Sequence, residues 1–229
     1  MFLILFFLSQ TRCINLTQYL NKGYRGHAFF VNSFVNYLAH AYLSFGDPEI
    51  LTGNLISDFV KGKKKYDYPR RILAGIEFHR QIDHYTDSHP VNKEAARIFK
   101  PAYGLYASAF LDVVYDHFLA LELRKTGEEE FLNFTTTAYS QLERFRELFP
   151  EVFNNIFPYM KQHNWLFNYQ YAWGIERSMA GLVHRAAYIT DSGPAVKLFA
   201  DCYDDLRSAY EAFFPGLRSF SLEKFSDIH

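Results

Sequence analysis

The 229-residue chain has only two cysteines, Cys13 and Cys202. They form no metal-ligand spacing and no disulfide framework, so a thiolate metal centre is excluded and a reducing, cytoplasmic setting is expected. Net charge is nearly absent too: 24 Lys and Arg against 25 Asp and Glu leave a formal value of -1. Bulk attraction to nucleic acid is therefore not expected. The one continuous apolar run, MFLILFFL, is too short to span a bilayer, and no stable membrane association is expected. Walker-type glycine loops, the GxSxG elbow and the HExxH motif are all missing, which leaves nucleophilic Ser or Cys catalysis without support.

What the chain has is apolar bulk. Hydrophobic residues make up 49% and aromatics 19%, including 24 Phe and 17 Tyr. That suffices for one substantial core and argues against disorder. Residues 1–34 read as a peripheral N-terminal extension. No Lys or Arg precedes their apolar run, so the anatomy of a secretory signal is incomplete. Val35 reads as a candidate start of the domain, as after an over-long gene start, and residues 35–229 read as one domain.

Helical spacing dominates and strand alternation is lacking. The spacing predicts a helix over 33–44. A second runs from Asp47-Pro48-Glu49 to about Val60, its start marked by an N-cap acid, Pro at the first position and an acid in the first turn. A third opens at Asp67–Pro69 and ends before Pro90. A short helix through Ala95 and Phe99 follows, then a long one from Pro101 through Leu121. Thr126-Gly127 breaks the chain, and further helices are expected over 128–147, roughly 160–189 and 195–213. The fold expected is a single-domain, all-α helical bundle.

On these helices polar residues recur one turn apart. Asn36/His40, Asn54/Asp58, His79/Asp83, Asp83/Asp87 and Asp112/Asp116 are all i, i+4 pairs, which share a helix face. His79 and Asp83 can bind one metal, or the carboxylate can orient the imidazole; the plainer alternative is a solvated ion pair. Asp112 and Asp116 lie in the strongly apolar LDVVYDHFLALEL, where two acids repel unless a cation or donor joins them. His117 lies about 100° round that helix from Asp116, as a ligand from another direction, a supporting group or a core histidine. Asp58, near a helix C-terminus, opposes the helix dipole. His40 draws interest only from its company. His79, Asp83, Asp112 and Asp116 are the candidate metal ligands, and His40, Asp58 and His117 the candidates for proton handling. An oxygen and nitrogen donor set without thiolate suits Mn²⁺, Mg²⁺ or Fe²⁺. The basic run Lys61, Lys63, Lys64 and Lys65, with Arg70 and Arg71, begins three residues after Asp58. Beside a metal site it becomes a docking surface for an acidic partner or a phosphate.

The stretches VNYLAHAYLS, LTGNLISDFVKG, AGIEFHRQID with the following TD, and LDVVYDHFL closely resemble the acyl carrier protein phosphodiesterases. The later stretch from Trp165 to Arg185, containing YAWGIERSMAGLVHR, is similar to that family's C-terminal block. The resemblance spans roughly residues 35–215. It implies an all-helical fold distantly similar to HD-type metal phosphohydrolases, and a divalent-metal-dependent hydrolysis with Mn²⁺ the expected ion. It also implies holo-acyl carrier protein as substrate, with 4'-phosphopantetheine and apo-carrier as products. Asp58 is the position it marks as essential; His40, His79, Asp83, Asp112, Asp116 and His117 fall on polar positions of the same motifs. Two other readings use the same residues differently. One is a metal phosphohydrolase for a small nucleotide or phosphodiester, for which the lysine run is incidental. The other is a carrier-binding helical protein without catalysis, which takes up no metal.

Overall fold

The computed structural model describes residues 36–228, which form helices joined by turns. In chain order these are α1 Tyr37–Tyr42, α2 Pro48–Ile56, α3 Arg70–Ser88, α4 Pro90–Ala95, α5 Lys100–Tyr103 and α6 Ala107–Thr126. They continue with α7 Glu128–Glu143, α8 Glu151–Gln162, α9 Trp165–Asn168, α10 Ala172–Arg185, α11 Gly193–Asp201 and α12 Tyr203–Ser226. The all-α expectation holds. The expectation for residues 1–34 lies outside the described residues. No helix among the described residues is long and apolar enough to cross a membrane.

Local chemistry sets most of the boundaries. The Asp47 carboxylate accepts from the backbone N–H groups of Glu49 and Ile50 at 3.0 and 2.9 Å, and Pro48 opens α2. α2 stops at Ile56 rather than Val60, because Ser57–Phe59 tightens into a 3-10 turn. The helix expected from Pro101 is divided. Gly104, at φ 55°, ends α5, and the long α6 begins at Ala107. Gly127, at φ 149°, then separates α6 from the acidic first turn of α7. The helix expected near 160–189 is three helices, and one of them, α8, opens earlier at Glu151. Asn164, at φ 40°, makes the first of these breaks.

The core is rich in aromatic residues. Phe78, Phe99, Phe110, Phe131, Phe153, Phe157 and Phe213 are fully buried, each contributing about 1.5–3 kcal/mol of transfer free energy. Phe149, Phe153 and Phe157 on α8 and the turn before it pack edge-on or tilted against one another, and Phe153 meets Tyr37 of α1 and Phe59.

The close approach of α2 to α3 positions everything functional. A methyl group built on Gly53 would lie 2.1 Å from the Ile72 carbonyl oxygen and 2.8 Å from the Gly75 Cα. One built on Gly75 would lie 2.5 Å from the Ile50 carbonyl oxygen. Only glycine fits at either crossing position. The Ser57 hydroxyl seals the contact, donating to the Ile76 carbonyl at 3.1 Å. Gly75→Ala should therefore destabilise the protein by about 1–3 kcal/mol or more through overpacking. Gly181→Ala on α10 should leave stability unchanged or raise it by up to about 1 kcal/mol, because its methyl would meet only the Arg185 side chain at 3.6 Å. Thermal unfolding of the two variants checks this, and equal midpoints would remove the crossing from consideration.

Candidate metal centre

α3 carries His79 and Asp83 one turn apart. Buried Ile72, Ile76 and Ile82 anchor the helix, so this face turns inward. α1 brings His40 against it, and the 3-10 turn after α2 brings Asp58. The two imidazoles stack with centroids 4.1 Å apart and planes inclined by 21°. Asp83 lies between them: its Oδ1 is 3.2 Å from His40 Nε2 and its Oδ2 3.0 Å from His79 Nε2. Asp58 Oδ1 stands 3.2 Å from the same His79 nitrogen. The side chains of His40 and His79 are 0% and 2% exposed, whereas Asp58 retains 16% and Asp83 44%. The group is thus walled by imidazole and open on its carboxylate side.

Burial pulls the His40 pKa down, and the neighbouring His79 lowers it further against the pull of Asp83. Burial also opposes charge on His79, but Asp83 and Asp58 outweigh it and push the imidazole up to about 10. Asp83 is held well below the usual carboxylate range: burial raises it, and the two histidines more than reverse that. The site therefore calls for positive charge at the point where these atoms meet.

Ligand atoms of His40, His79 and Asp83 all lie within 4.8 Å of one another. Neighbouring ligands on an octahedral ion with bonds of about 2.1 Å stand about 3 Å apart, the spacing found here. The buried His40 Nε2 has no hydrogen-bond partner although it faces a carboxylate oxygen. A proton on His79 answers His79's own carboxylates and leaves that nitrogen orphaned. A divalent cation answers both, so the residues fit one.

Asp112 stands outside this close group but within its field. Burial raises its pKa well above the usual range, and Asp83, Asp87, Asp116 and Asp58 add to the rise. Asp116 and His117 point elsewhere. Both Asp116 oxygens accept backbone N–H groups at the start of α1, from Leu38 at 3.0 Å and Ala39 at 2.8 Å. Fully buried, Asp116 is pushed up to about 8 by desolvation, against the pull of those donors. It caps α1 and so sets the position of His40. His117 Nδ1 donates to the Tyr169 carbonyl at 2.7 Å, and its ring packs on Phe199. In the basic stretch, Lys65 pairs with Glu77 at 2.8 Å and Arg71 with Asp47 at 2.7 Å, while Lys61, Lys63, Lys64 and Arg70 are exposed. Ser44 is a residue the sequence reading missed. It follows His40 by one turn, and its hydroxyl donates to the His40 carbonyl at 2.7 Å.

Residues 35–217 match the family model described as acyl carrier protein phosphodiesterase. A protein of that name from Photorhabdus laumondii is 31% identical over 182 residues, covering 79% of this chain and 92% of its own length. Another from an Enterobacter species (strain 638) is 34% identical over 179 residues, covering 78% and 89%. One from Yersinia enterocolitica is 31% identical over 191 residues, covering 83% and 99%. No solved structure matches the chain. The likeness to HD-type enzymes therefore rests on the sequence resemblance alone.

The electrostatics set a pH dependence. The folded value of His79, about 10, lies above its unfolded value near 6.5. Its contribution to stability is whole below about pH 6.5 and is lost as pH rises through 10. In chelator the thermal midpoint should fall across that window. Asp112 and Asp116, both raised, fall in the same direction, so His79→Gln isolates the histidine: its profile should be the flatter one. Parallel profiles for wild type and variant would contradict the assignment.

Proposed function

The chain belongs to the acyl carrier protein phosphodiesterase family, and we propose that it hydrolyses holo-acyl carrier protein to apo-carrier and 4'-phosphopantetheine. Family membership supports the substrate and the bond that is cleaved. One observation carries the metal-dependent form of the reading: His40 Nε2, His79 Nε2 and Asp83 converge with no donor for the buried His40 nitrogen. An oxygen and nitrogen donor set without thiolate admits Mn²⁺, Mg²⁺ or Fe²⁺, and the family resemblance favours Mn²⁺. We propose a cytoplasmic setting, on the chain's sparse use of cysteine.

A divalent cation would be held by His40, His79 and Asp83, and when bound it would supply Lewis-acid polarisation of a phosphoryl oxygen and a lowered pKa for a nearby water. Asp58, on the open side of the group, accepts the proton of the attacking water at its carboxylate. The water oxygen bonds to phosphorus as the bond from phosphorus to the serine oxygen breaks. Asp112, whose pKa is raised well above the usual carboxylate range by burial and by four neighbouring carboxylates, is the candidate donor to the departing serine oxygen. The products are a phosphate monoester and a serine hydroxyl. Neither Asp116 nor His117 is assigned a step: the Asp116 oxygens accept from Leu38 and Ala39, and His117 Nδ1 is directed to the Tyr169 carbonyl.

Exposed Lys63 and Lys64, on the 3-10 turn that follows Asp58, and exposed Arg70 give the acidic carrier a docking edge beside the reacting group. Lys65 and Arg71 are held by Glu77 and Asp47 and contribute less.

Intact-mass measurement of holo-carrier incubated with the protein and Mn²⁺ tests the reaction. The carrier should lose the whole phosphopantetheine group, and chelation should abolish the loss. Asp58→Asn should slow it by about 10²–10⁴-fold. An unchanged carrier mass from folded, metal-loaded protein would overturn the reading in favour of a small phosphodiester substrate. The double substitution Lys63→Glu with Lys64→Glu should raise KM for carrier several-fold at low salt and leave kcat nearly unchanged. An unaltered KM would remove the docking edge.

A further inference from the structure

We infer that Asn54 is a positioning residue that fixes the tautomer of His40 and so presents Nε2 as a bare lone pair to the metal. The inference rests on the metal-dependent reading above and goes beyond it by naming what prepares the ligand. The Asn54 side chain is fully buried on α2, facing the His40 ring on α1. Its Nδ2 donates to the His40 carbonyl at 3.0 Å and to the Ser44 hydroxyl oxygen at 3.1 Å. A carbonyl can only accept, so the amide cannot be turned over without setting two oxygens against each other. The Ser44 hydroxyl spends its own proton on the same His40 carbonyl at 2.7 Å and is left with lone pairs, which receive the second Asn54 proton.

With both amide protons spent, Asn54 Oδ1 faces His40 Nδ1 at 2.6 Å and can only accept. The proton of a neutral His40 therefore sits on Nδ1, and Nε2 carries the lone pair. Every polar atom in the His40–Ser44–Asn54 network then has a partner except Nε2, the atom aimed at Asp83. The polar network is thus complete except at the ligand position. An Asn in place of the more usual carboxylate or backbone carbonyl holds the tautomer without adding a negative charge to a pocket that already contains Asp58 and Asp83.

Two measurements test this. Long-range ¹H–¹⁵N spectra of the metal-free protein at neutral pH read the tautomer directly and need no metal. His40 should be protonated at Nδ1 and bare at Nε2; the opposite tautomer would overturn the inference. Mn²⁺ affinity, followed by the EPR signal of the free ion, reads the consequence. Asn54→Leu should weaken binding by about 10- to 100-fold. Ser44→Ala, which keeps Asn54 Oδ1 opposite Nδ1 and the amide's bond to the His40 carbonyl, should stay within a few-fold of wild type. Equal affinities for wild type and Asn54→Leu would overturn the positioning role. If wild type bound no Mn²⁺ while His40 showed the Nδ1–H tautomer, the metal reading would fail and the tautomer assignment would stand.

Discussion

The structure turns on one carboxylate placed between two histidines. Asp83 approaches His40 Nε2 and His79 Nε2 at 3.2 and 3.0 Å, and Asp58 approaches the second from another side. Carboxylate oxygens and imidazole lone pairs at these separations repel unless positive charge lies among them, and both imidazoles are buried where water cannot screen them. The proton that His79 keeps, or a divalent cation bound among these groups, relieves that repulsion. With a cation bound, the opening lined by carboxylates would put positive charge where a phosphodiester can reach it.

The rest of the fold keeps those groups in place. The glycine crossing at Gly53 and Gly75 lets α2 sit directly on α3, which brings Asn54 and Asp58 within reach of the histidine face. Asp116 reaches from α6 to the first turn of α1, where its two oxygens accept backbone N–H groups that the helix leaves unsatisfied, and so anchors the short helix that carries His40. A six-residue helix has little stability of its own. Its geometry is imposed from outside, by Asp116 at one end and by the Asn54–Ser44 network along its side.

Much of this was legible in the chain because it is local. His79 and Asp83 share one helix face by spacing alone, and Asp47-Pro48 announces the start of α2 as capping chemistry requires. The acidic pair Asp112 and Asp116 marks the limit of such reading. Spacing put both on one face of an apolar helix, which suggested a shared ion. The structure spends Asp116 on two backbone donors of α1, a partner 77 to 78 residues away that no local pattern reveals. His117 likewise meets a carbonyl 52 residues distant. Pro101 read as the start of the long helix because proline favours first turns, but the positive φ of Gly104 moved that start to Ala107. α8 runs through its internal Pro158 without ending there. Ser44 gave only a weak signal, one turn beyond His40, because its role depends on where α2 lies.

The most direct measurement is anomalous diffraction from crystals of the protein grown with Mn²⁺, recorded near the manganese edge. A peak within bonding distance of His40 Nε2, His79 Nε2 and an Asp83 oxygen is the expected result. Well-ordered density for these three side chains with no anomalous peak among them, at Mn²⁺ concentrations that saturate activity, would contradict the placement of the cation.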